Sequence, residues 1–196
     1  MGANAMELLE KRILKDGKVA KGDVLKVGNF LNQQIDVTLN MQLGEEIARL
    51  YKDAGVTKVL TIEASGIALA TAVAFYLGVP LVYAKKDRSI NQNAEVYHAT
   101  VFSYTHQYTY EATVATEYLR SDDTVLVVDD FLATGGALHG LLNIVETAGA
   151  RLAGCAIAIE KGFQGGGDQL RAKGIRVESM AIIDRMSEEE GIIFRH

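Results

Sequence analysis

Between Val125 and Leu138 the chain reads VLVVDDFLATGGAL, two adjacent carboxylates followed closely by a pair of glycines. Val125–Val128 is a continuous apolar run, the pattern of a strand buried on both faces of a parallel sheet. Asp129 and Asp130 break that run, and Ala133-Thr134-Gly135-Gly136 turn the chain into an apolar helix. A glycine-rich turn opening a helix presents free backbone N–H groups and the positive end of the helix dipole, which suits a phosphate. Two aspartates beside that phosphate would repel it, so they are expected to face sugar hydroxyls or a metal ion on a phosphorylated ligand. Neighbours on a strand point opposite ways, so the pair divides its work. No lysine follows Gly136, which excludes the P-loop, and the glycines do not form the dinucleotide fingerprint.

These residues need a scaffold, and the composition supplies one. At 196 residues, 48% hydrophobic and with one proline, the chain suits one α/β domain with a small appendage. A net charge of −5 argues against a nucleic-acid-binding surface, and no basic cluster is longer than Lys85-Lys86. The single cysteine, Cys155, sits in the apolar run Ala153–Ile159 and reads as a core residue of a reducing compartment. No apolar run is long enough to span a membrane. The N-terminus lacks secretory and myristoylation signals, Met6 is an alternative start to Met1, and the cytoplasm is the expected location.

Strand and helix patterns alternate along the chain. Leu39, Leu43, Ile47, Leu50 and Tyr51 follow helical spacing towards a stop at Gly55. Val56–Ile62 reads as a strand whose exit turn is Glu63-Ala64-Ser65-Gly66. Ile67, Ala70, Val73, Ala74 and Leu77 form a helical stripe closed by Gly78, and Leu81–Ala84 is a further strand. Val125–Val128, a helix with Leu138, Leu141, Leu142 and Val145 ending at Gly149, and the strand Ala153–Ile159 repeat the pattern. Such alternation predicts β-α-β units and a mainly parallel sheet flanked by helices, with ligands at the carboxyl ends of its strands. Glu63–Gly66, Asp129–Gly136 and Glu160-Lys161 all follow strands, so one shared site is expected.

Three regions stand outside the alternation. Val19–Gln34 mixes apolar residues with Asn29, Asn32, Gln33 and Gln34. Lys85–Tyr118 leads from the polar stretch Ser89–Glu95 into β-rich segments with a turn near His106-Gln107. A connection this long reads as a lid or interaction element. Gly162–Gly174 carries Gly165-Gly166-Gly167 at its centre and precedes the strand candidate Val177–Ile183.

The signature of four apolar residues, two acids, two more residues and Ala-Thr-Gly-Gly resembles that of the type I phosphoribosyltransferases. Four further blocks, VLKVGNFLNQQID (Val24–Asp36), EASGIA (Glu63–Ala68), LVYAKK (Leu81–Lys86) and AIEKGFQ (Ala158–Gln164), are similar to the bacterial xanthine phosphoribosyltransferases. They stand in the same order and span nearly the whole chain from about Met6. The resemblance implies a single phosphoribosyltransferase domain over 1–196, with an N-terminal hood (about 1–38), a core (about 39–196) and a lid loop (about 85–110). It also implies transfer of 5-phosphoribosyl from phosphoribosyl diphosphate to N9 of xanthine, giving xanthosine 5′-monophosphate and diphosphate, in a homodimer.

On that resemblance, Ala133, Thr134, Gly135, Gly136 and Ala137 hold the 5′-phosphate. Glu63, Ala64, Ser65 and Gly66 receive the diphosphate. Asp129 and Asp130 meet the ribose hydroxyls, directly or through the metal, and one of them stabilises charge developing at C1′. Lys85, just past its strand, neutralises the leaving diphosphate. Mg²⁺ is carried mainly by the diphosphate, with no dedicated protein ligands. Leu25, Asn32 and Lys161 bind xanthine. A lysine only donates hydrogen bonds, so Lys161 suits a 6-oxo purine and disfavours adenine's amine, whereas the amide of Asn32 serves either. The choice of xanthine over guanine or hypoxanthine rests on the resemblance.

No nucleophile is needed, because an oxocarbenium-like transition state is helped by positioning, electrostatics and exclusion of water. Tyr97, Tyr104, Tyr108 and Tyr110 read as core or dimer packing before ligand contacts. His139 reads as a polar helix residue, His98 and His106 lack metal-ligand spacing, and Glu188–Glu190 is a solvated charge run. Two alternatives remain open: another purine phosphoribosyltransferase, and a regulator that senses the sugar diphosphate. The regulator would need a nucleic-acid-binding element that the acidic chain does not offer.

Overall fold

The computed structural model describes residues 5–87, 95–103 and 108–196. Its centre is an eight-stranded sheet. In chain order the strands are β3 (Lys58–Ile62), β4 (Leu81–Asp87), β5 (Val96–Ser103), β6 (Tyr108–Ala115), β7 (Thr124–Leu132), β8 (Arg151–Lys161), β9 (Val177–Ser187) and β10 (Gly191–Phe194). A separate N-terminal ribbon comprises β1 (Lys18–Ala20) and β2 (Val24–Lys26). Across the sheet the order is β10-β9-β8-β7-β3-β4-β6-β5. The five inner strands β9, β8, β7, β3 and β4 run parallel, while β10 and the β5–β6 hairpin add antiparallel edges. The mainly parallel α/β sheet read from the sequence is therefore present.

The helices form for reasons the sequence carries. In α2 (Val37–Tyr51), Leu39, Leu43, Ile47 and Tyr51 recur on one face and are buried, and Asp36 caps its start by accepting from the Leu39 N–H at 3.1 Å. α3 (Gly66–Leu77) ends at Gly78, whose left-handed φ of 68° is the predicted stop. α4 (Gly136–Thr147) ends just before Gly149, again with positive φ. The two faces of β7 feed separate cores. Leu126 and Val128 join Ile47, Tyr51 and Val73 on one side, and Val125 and Val127 join Leu138, Leu141 and Ile144 on the other.

The structure revises several element boundaries. α2 stops at Tyr51, and the chain reaches Gly55 through a turn in which the Ala54 N–H bonds the Tyr51 carbonyl. Asp129 and Asp130 do not break their strand but belong to β7. Lys85 and Lys86 likewise lie within β4, and Glu160-Lys161 within β8. Ladder hydrogen bonds to neighbouring strands carry the extended backbone beyond each apolar run. Five strands and α-helices have no counterpart in the sequence reading: α1 (Ala5–Asp16), β1, β2, α5 (Gly166–Ala172) and β10. Each is short or weakly patterned and is held by what it packs on; Leu9 and Ile13 of α1, for instance, are fully buried in the core beside α2.

Val19–Gln34 folds into the β1–β2 ribbon and a single π-turn, Gly28–Asn32. Arg12 ties this segment to the body, contacting Asp16 and Asp36 at 2.6 Å each with its guanidinium 5.1 Å from the Phe30 ring centre. Of the expected lid, residues 88–94 and 104–107 lie outside the described residues, including His106 and Tyr104, as do residues 1–4. Tyr97 and Tyr110 pack into the core beside β5 and β6, which agrees with the packing reading. Glu188–Glu190 is exposed.

Candidate active site

Strands β3 and β7 are adjacent and parallel, so their carboxyl ends open side by side. α3 and α4 begin at those two ends. Ser65 precedes α3 and Gly135, with φ of 91°, precedes α4, yet neither helix start receives a side-chain cap. A serine in that place ordinarily caps its own helix. Here its hydroxyl instead donates to Asp130 Oδ1 at 2.9 Å. Two helix N-termini without side-chain caps therefore flank one short stretch of strand edge, an arrangement suited to two phosphoryl groups on one ligand.

Asp130 is the point where three segments meet. It lies at the end of β7, accepts from Ser65 at the α3 start, and accepts from Asn32 Nδ2 of the π-turn at 2.9 Å. Asp129 takes a different partner, the backbone N–H of Asp130 at 3.0 Å, and its carboxyl closes against Gly66. Asp129 and Asp130 are 6% and 5% exposed, so both acids are removed from bulk water. Burial pushes the Asp129 carboxyl well above the ordinary range. The charge of Asp130 pushes the same way, while the Asp130 N–H and the Lys86 ammonium oppose both.

The structure separates the two lysines that the sequence left together. Lys85 lies on β4 opposite Thr113 and is exposed. Lys86, one residue on and facing the other way, is the cation felt by Asp129. Its N–H donates to Glu63 Oε1 at 2.6 Å, tying β4 to the turn before α3, and its ammonium lies 5.3 Å from the Tyr110 ring centre. The Glu63–Ala64 peptide in that turn is cis. Sequence reasoning singled out Lys85; period-2 alternation along a longer strand was the signal that distinguishes Lys86.

Leu25 and Asn32 line one cavity at the N-terminal ribbon, and Lys161 contacts the ribbon's turn. Leu25 is buried on β2, and a cavity of about 760 Å³ runs past Leu25, Val27, Asn29, Asn32 and Gln33. Lys161 ends β8, with its ammonium 2.7 Å from the Asp23 carbonyl in the ribbon's turn and 5.8 Å from the Phe131 ring centre. Half-buried there, Lys161 has its pKa drawn below the usual lysine range by desolvation. Phe131 was not anticipated as a neighbour, because only the β7–β8 register brings it alongside Ile159.

His139 sits in the first turns of α4 with its ring against Gly135, and burial lowers its pKa. Among the described residues no three His, Cys, Asp or Glu side chains converge to hold a metal ion. Asp129 and Asp130 nonetheless present the hard carboxylate oxygens that suit Mg²⁺, so a divalent cation fits here if a ligand and water complete its shell.

Residues 27–190 match the phosphoribosyl transferase domain. Curated relatives match over nearly full length. The chain is 50% identical to the xanthine phosphoribosyltransferase of Lachnoclostridium phytofermentans, covering 97% of this chain and 98% of that one. It is 52% identical to the xanthine phosphoribosyltransferase of Brevibacillus brevis, with 96% of each chain covered. The chain belongs to the phosphoribosyltransferase family.

Solved structures show the same fold at lower identity. An adenine phosphoribosyltransferase from Giardia lamblia complexed with 9-deazaadenine superposes with a TM-score of 0.74 at 24% identity, over 92% of this chain and 98% of that one. The Trypanosoma brucei adenine phosphoribosyltransferase, in complex with AMP, pyrophosphate and ribose-5-phosphate, has a TM-score of 0.75 at 19% identity, over 96% and 84%. The family's fold thus accounts for the strand order and for both helix starts at one edge.

The raised pKa of Asp129 has a consequence for stability. Above the unfolded value near 3.8, the unfolded chain releases this proton while the folded chain retains it, so stability falls as pH rises towards the folded value. Asp129→Asn removes that penalty and keeps an acceptor for the Asp130 N–H. The variant is expected to unfold at a higher temperature than the wild type at pH 7, with the gap closing as pH falls towards 4. Thermal unfolding followed by circular dichroism across pH checks this; a variant less stable than wild type at neutral pH would contradict it.

Proposed function

We propose that this chain transfers the 5-phosphoribosyl group of phosphoribosyl diphosphate to N9 of xanthine, releasing diphosphate and giving xanthosine 5′-monophosphate. The observation that carries the sugar-diphosphate half is the pair of uncapped helix N-termini at adjacent strand ends, bridged by Asp130. The full-length xanthine phosphoribosyltransferase relatives carry the choice of base.

In this reading the α4 start, Ala133–Ala137, binds the 5′-phosphate, and Glu63–Gly66 with α3 binds the diphosphate. Asp130 exchanges its Ser65 and Asn32 donors for ribose hydroxyls as the substrate enters, and Asp129 stands behind it. As the C1′–O bond lengthens, positive charge develops on the ribose, and the carboxylate of Asp130 stabilises it. N9 of xanthine then bonds to C1′, and the electron pair of the broken bond leaves on the diphosphate. Lys86, the cation felt by Asp129, faces that growing negative charge from β4. Xanthine lies under the hood (about 1–38) beside Leu25 and Asn32, with its oxo edge at Lys161. The lid (about 85–110) excludes water that would otherwise hydrolyse the sugar diphosphate. Bound with the diphosphate, Mg²⁺ would supply charge neutralisation to the leaving group.

The chain is further proposed to act as a cytoplasmic homodimer. Phe75 and Tyr76, stacked edge to face near the end of α3, are 70% and 40% exposed, an apolar surface that a second copy would cover. The free thiol of buried Cys155 suits a reducing compartment.

Nucleotide formation from phosphoribosyl diphosphate and Mg²⁺, with xanthine, guanine, hypoxanthine and adenine supplied separately, is expected to be fastest with xanthine. Preference for another purine would overturn the base pocket, and Lys161→Ala is expected to raise the KM for xanthine well above any change for the sugar diphosphate. Asp130→Asn is expected to lower kcat about 100-fold or more, as loss of transition-state charge stabilisation does, with a much smaller effect on the unfolding midpoint. Near-normal turnover would remove the aspartates from the mechanism. Sedimentation equilibrium is expected to give twice the chain mass for the wild type and a monomer for Phe75→Glu. A wild-type monomer found only in a membrane fraction would refute both the dimer and the compartment.

A further inference from the structure

The Gly165-Gly166-Gly167 tract belongs to neither proposed substrate pocket, yet it contacts residues beside both. Gly165, with φ of 77°, turns the chain into α5. The Gly166 N–H then donates to the Ala133 carbonyl at 3.2 Å. A methyl group on Gly166 would strike that carbonyl oxygen and stand 2.8 Å from the Thr134 carbonyl carbon and 3.0 Å from the Gly135 nitrogen. The start of α5 is thus pressed onto the backbone of the turn that opens α4.

What presses it there is an ion pair between a buried carboxylate and a partly exposed guanidinium. Glu160, completely buried at the end of β8, accepts from Arg171 Nη1 at 2.9 Å, from Arg171 Nη2 at 2.7 Å and from Ser179 Oγ at 2.5 Å. Arg171 lies on α5, so the fork-shaped pair clamps that helix to the sheet. Arg171 also bonds the Val177 carbonyl at 3.3 Å, anchoring the end of α5 to β9. Gly167 fits against the pair because it has no side chain; a Cβ there would overlap the Glu160 carboxylate.

We propose that Gly166 and the Glu160–Arg171 pair are positioning residues for the 5′-phosphate turn, acting through the Ala133–Thr134 peptide. In a trans peptide the carbonyl and the following N–H point in opposite directions. Holding the Ala133 carbonyl towards Gly166 therefore turns the Thr134 N–H away from α5, where it serves as a phosphate donor. Binding tight enough for catalysis needs such donors fixed before the ligand arrives. The clamp is also continuous with the base side of the site, because Glu160 is followed directly by Lys161, whose side chain leaves the strand on the opposite face. The inference rests on the assignment of Ala133–Ala137 to the 5′-phosphate.

Gly166→Ala and the pair Arg171→Met and Arg171→Lys test it by calorimetric titration with two probes, xanthosine 5′-monophosphate and Mg²⁺-diphosphate. Gly166→Ala and Arg171→Met are expected to weaken the nucleotide at least tenfold while leaving diphosphate affinity within twofold. Arg171→Lys is expected to recover part of the loss, since it keeps the charge opposite Glu160. The KM for phosphoribosyl diphosphate is expected to rise more than the KM for xanthine. Parallel loss of both probes would mark general loosening and overturn the proposal, and so would unchanged nucleotide affinity in folded variants. If Gly166→Ala does not fold, the two Arg171 variants decide by the same criterion. A wild-type chain that binds diphosphate but not the nucleotide would overturn the 5′-phosphate assignment itself and the proposal with it.

Discussion

Two carboxylates at the end of a buried strand are the constraint around which this molecule is arranged. Removing ionised groups from water is costly unless hydrogen bonds compensate it. Asp130 meets that cost with the Ser65 hydroxyl and the Asn32 amide, and both donors come from segments remote in sequence. The N-terminal π-turn, the start of α3 and the end of β7 are thereby held together before any ligand binds. Asp129 meets it differently, through one backbone N–H and a raised pKa. The acids that make the site therefore also decide how its walls are joined.

A second theme is that donors are left available where a stable protein would normally use them. Ser65 does not cap α3, and α4 starts from a glycine that cannot cap it. Without its serine cap α3 forgoes roughly 1 kcal/mol, and α4, starting from glycine, a few tenths. Other elements absorb that deficit: the double-sided core around β7 supports both helix starts, and the Glu160–Arg171 pair holds α5 behind the start of α4. Rigidity comes from behind the site, and polarity is kept for the ligand.

Much of this was legible in the residues. The alternation of apolar runs with helical stripes carried the parallel sheet, and VVDDFLATGG marked the strand–turn–helix at its centre. Leu25 and Asn32 line one cavity, while Lys161 reaches the ribbon's turn through the Asp23 carbonyl. Strand lengths were less legible, because β4, β7 and β8 continue past their apolar residues wherever a neighbouring strand supplies hydrogen bonds. α1 and β10 escaped because their regular structure rests on tertiary partners, the core beside α2 for α1 and the edge of β9 for the four-residue β10.

What the sequence determined by itself was local: which stretches are buried strands, where glycines turn the chain, and which residue types can meet a phosphate, a sugar or an oxo purine. These follow from period, conformational freedom and donor–acceptor inventory, all properties of short segments. Tertiary structure alone decided the partners. It chose Ser65 and Asn32 for Asp130, Lys86 rather than Lys85 as the cation felt by Asp129, and Gly166 as the donor to the Ala133 carbonyl before α4. Such pairings join residues up to 98 positions apart. They depend on strand order and register, which no single segment encodes, because those are set by packing the whole sheet at once.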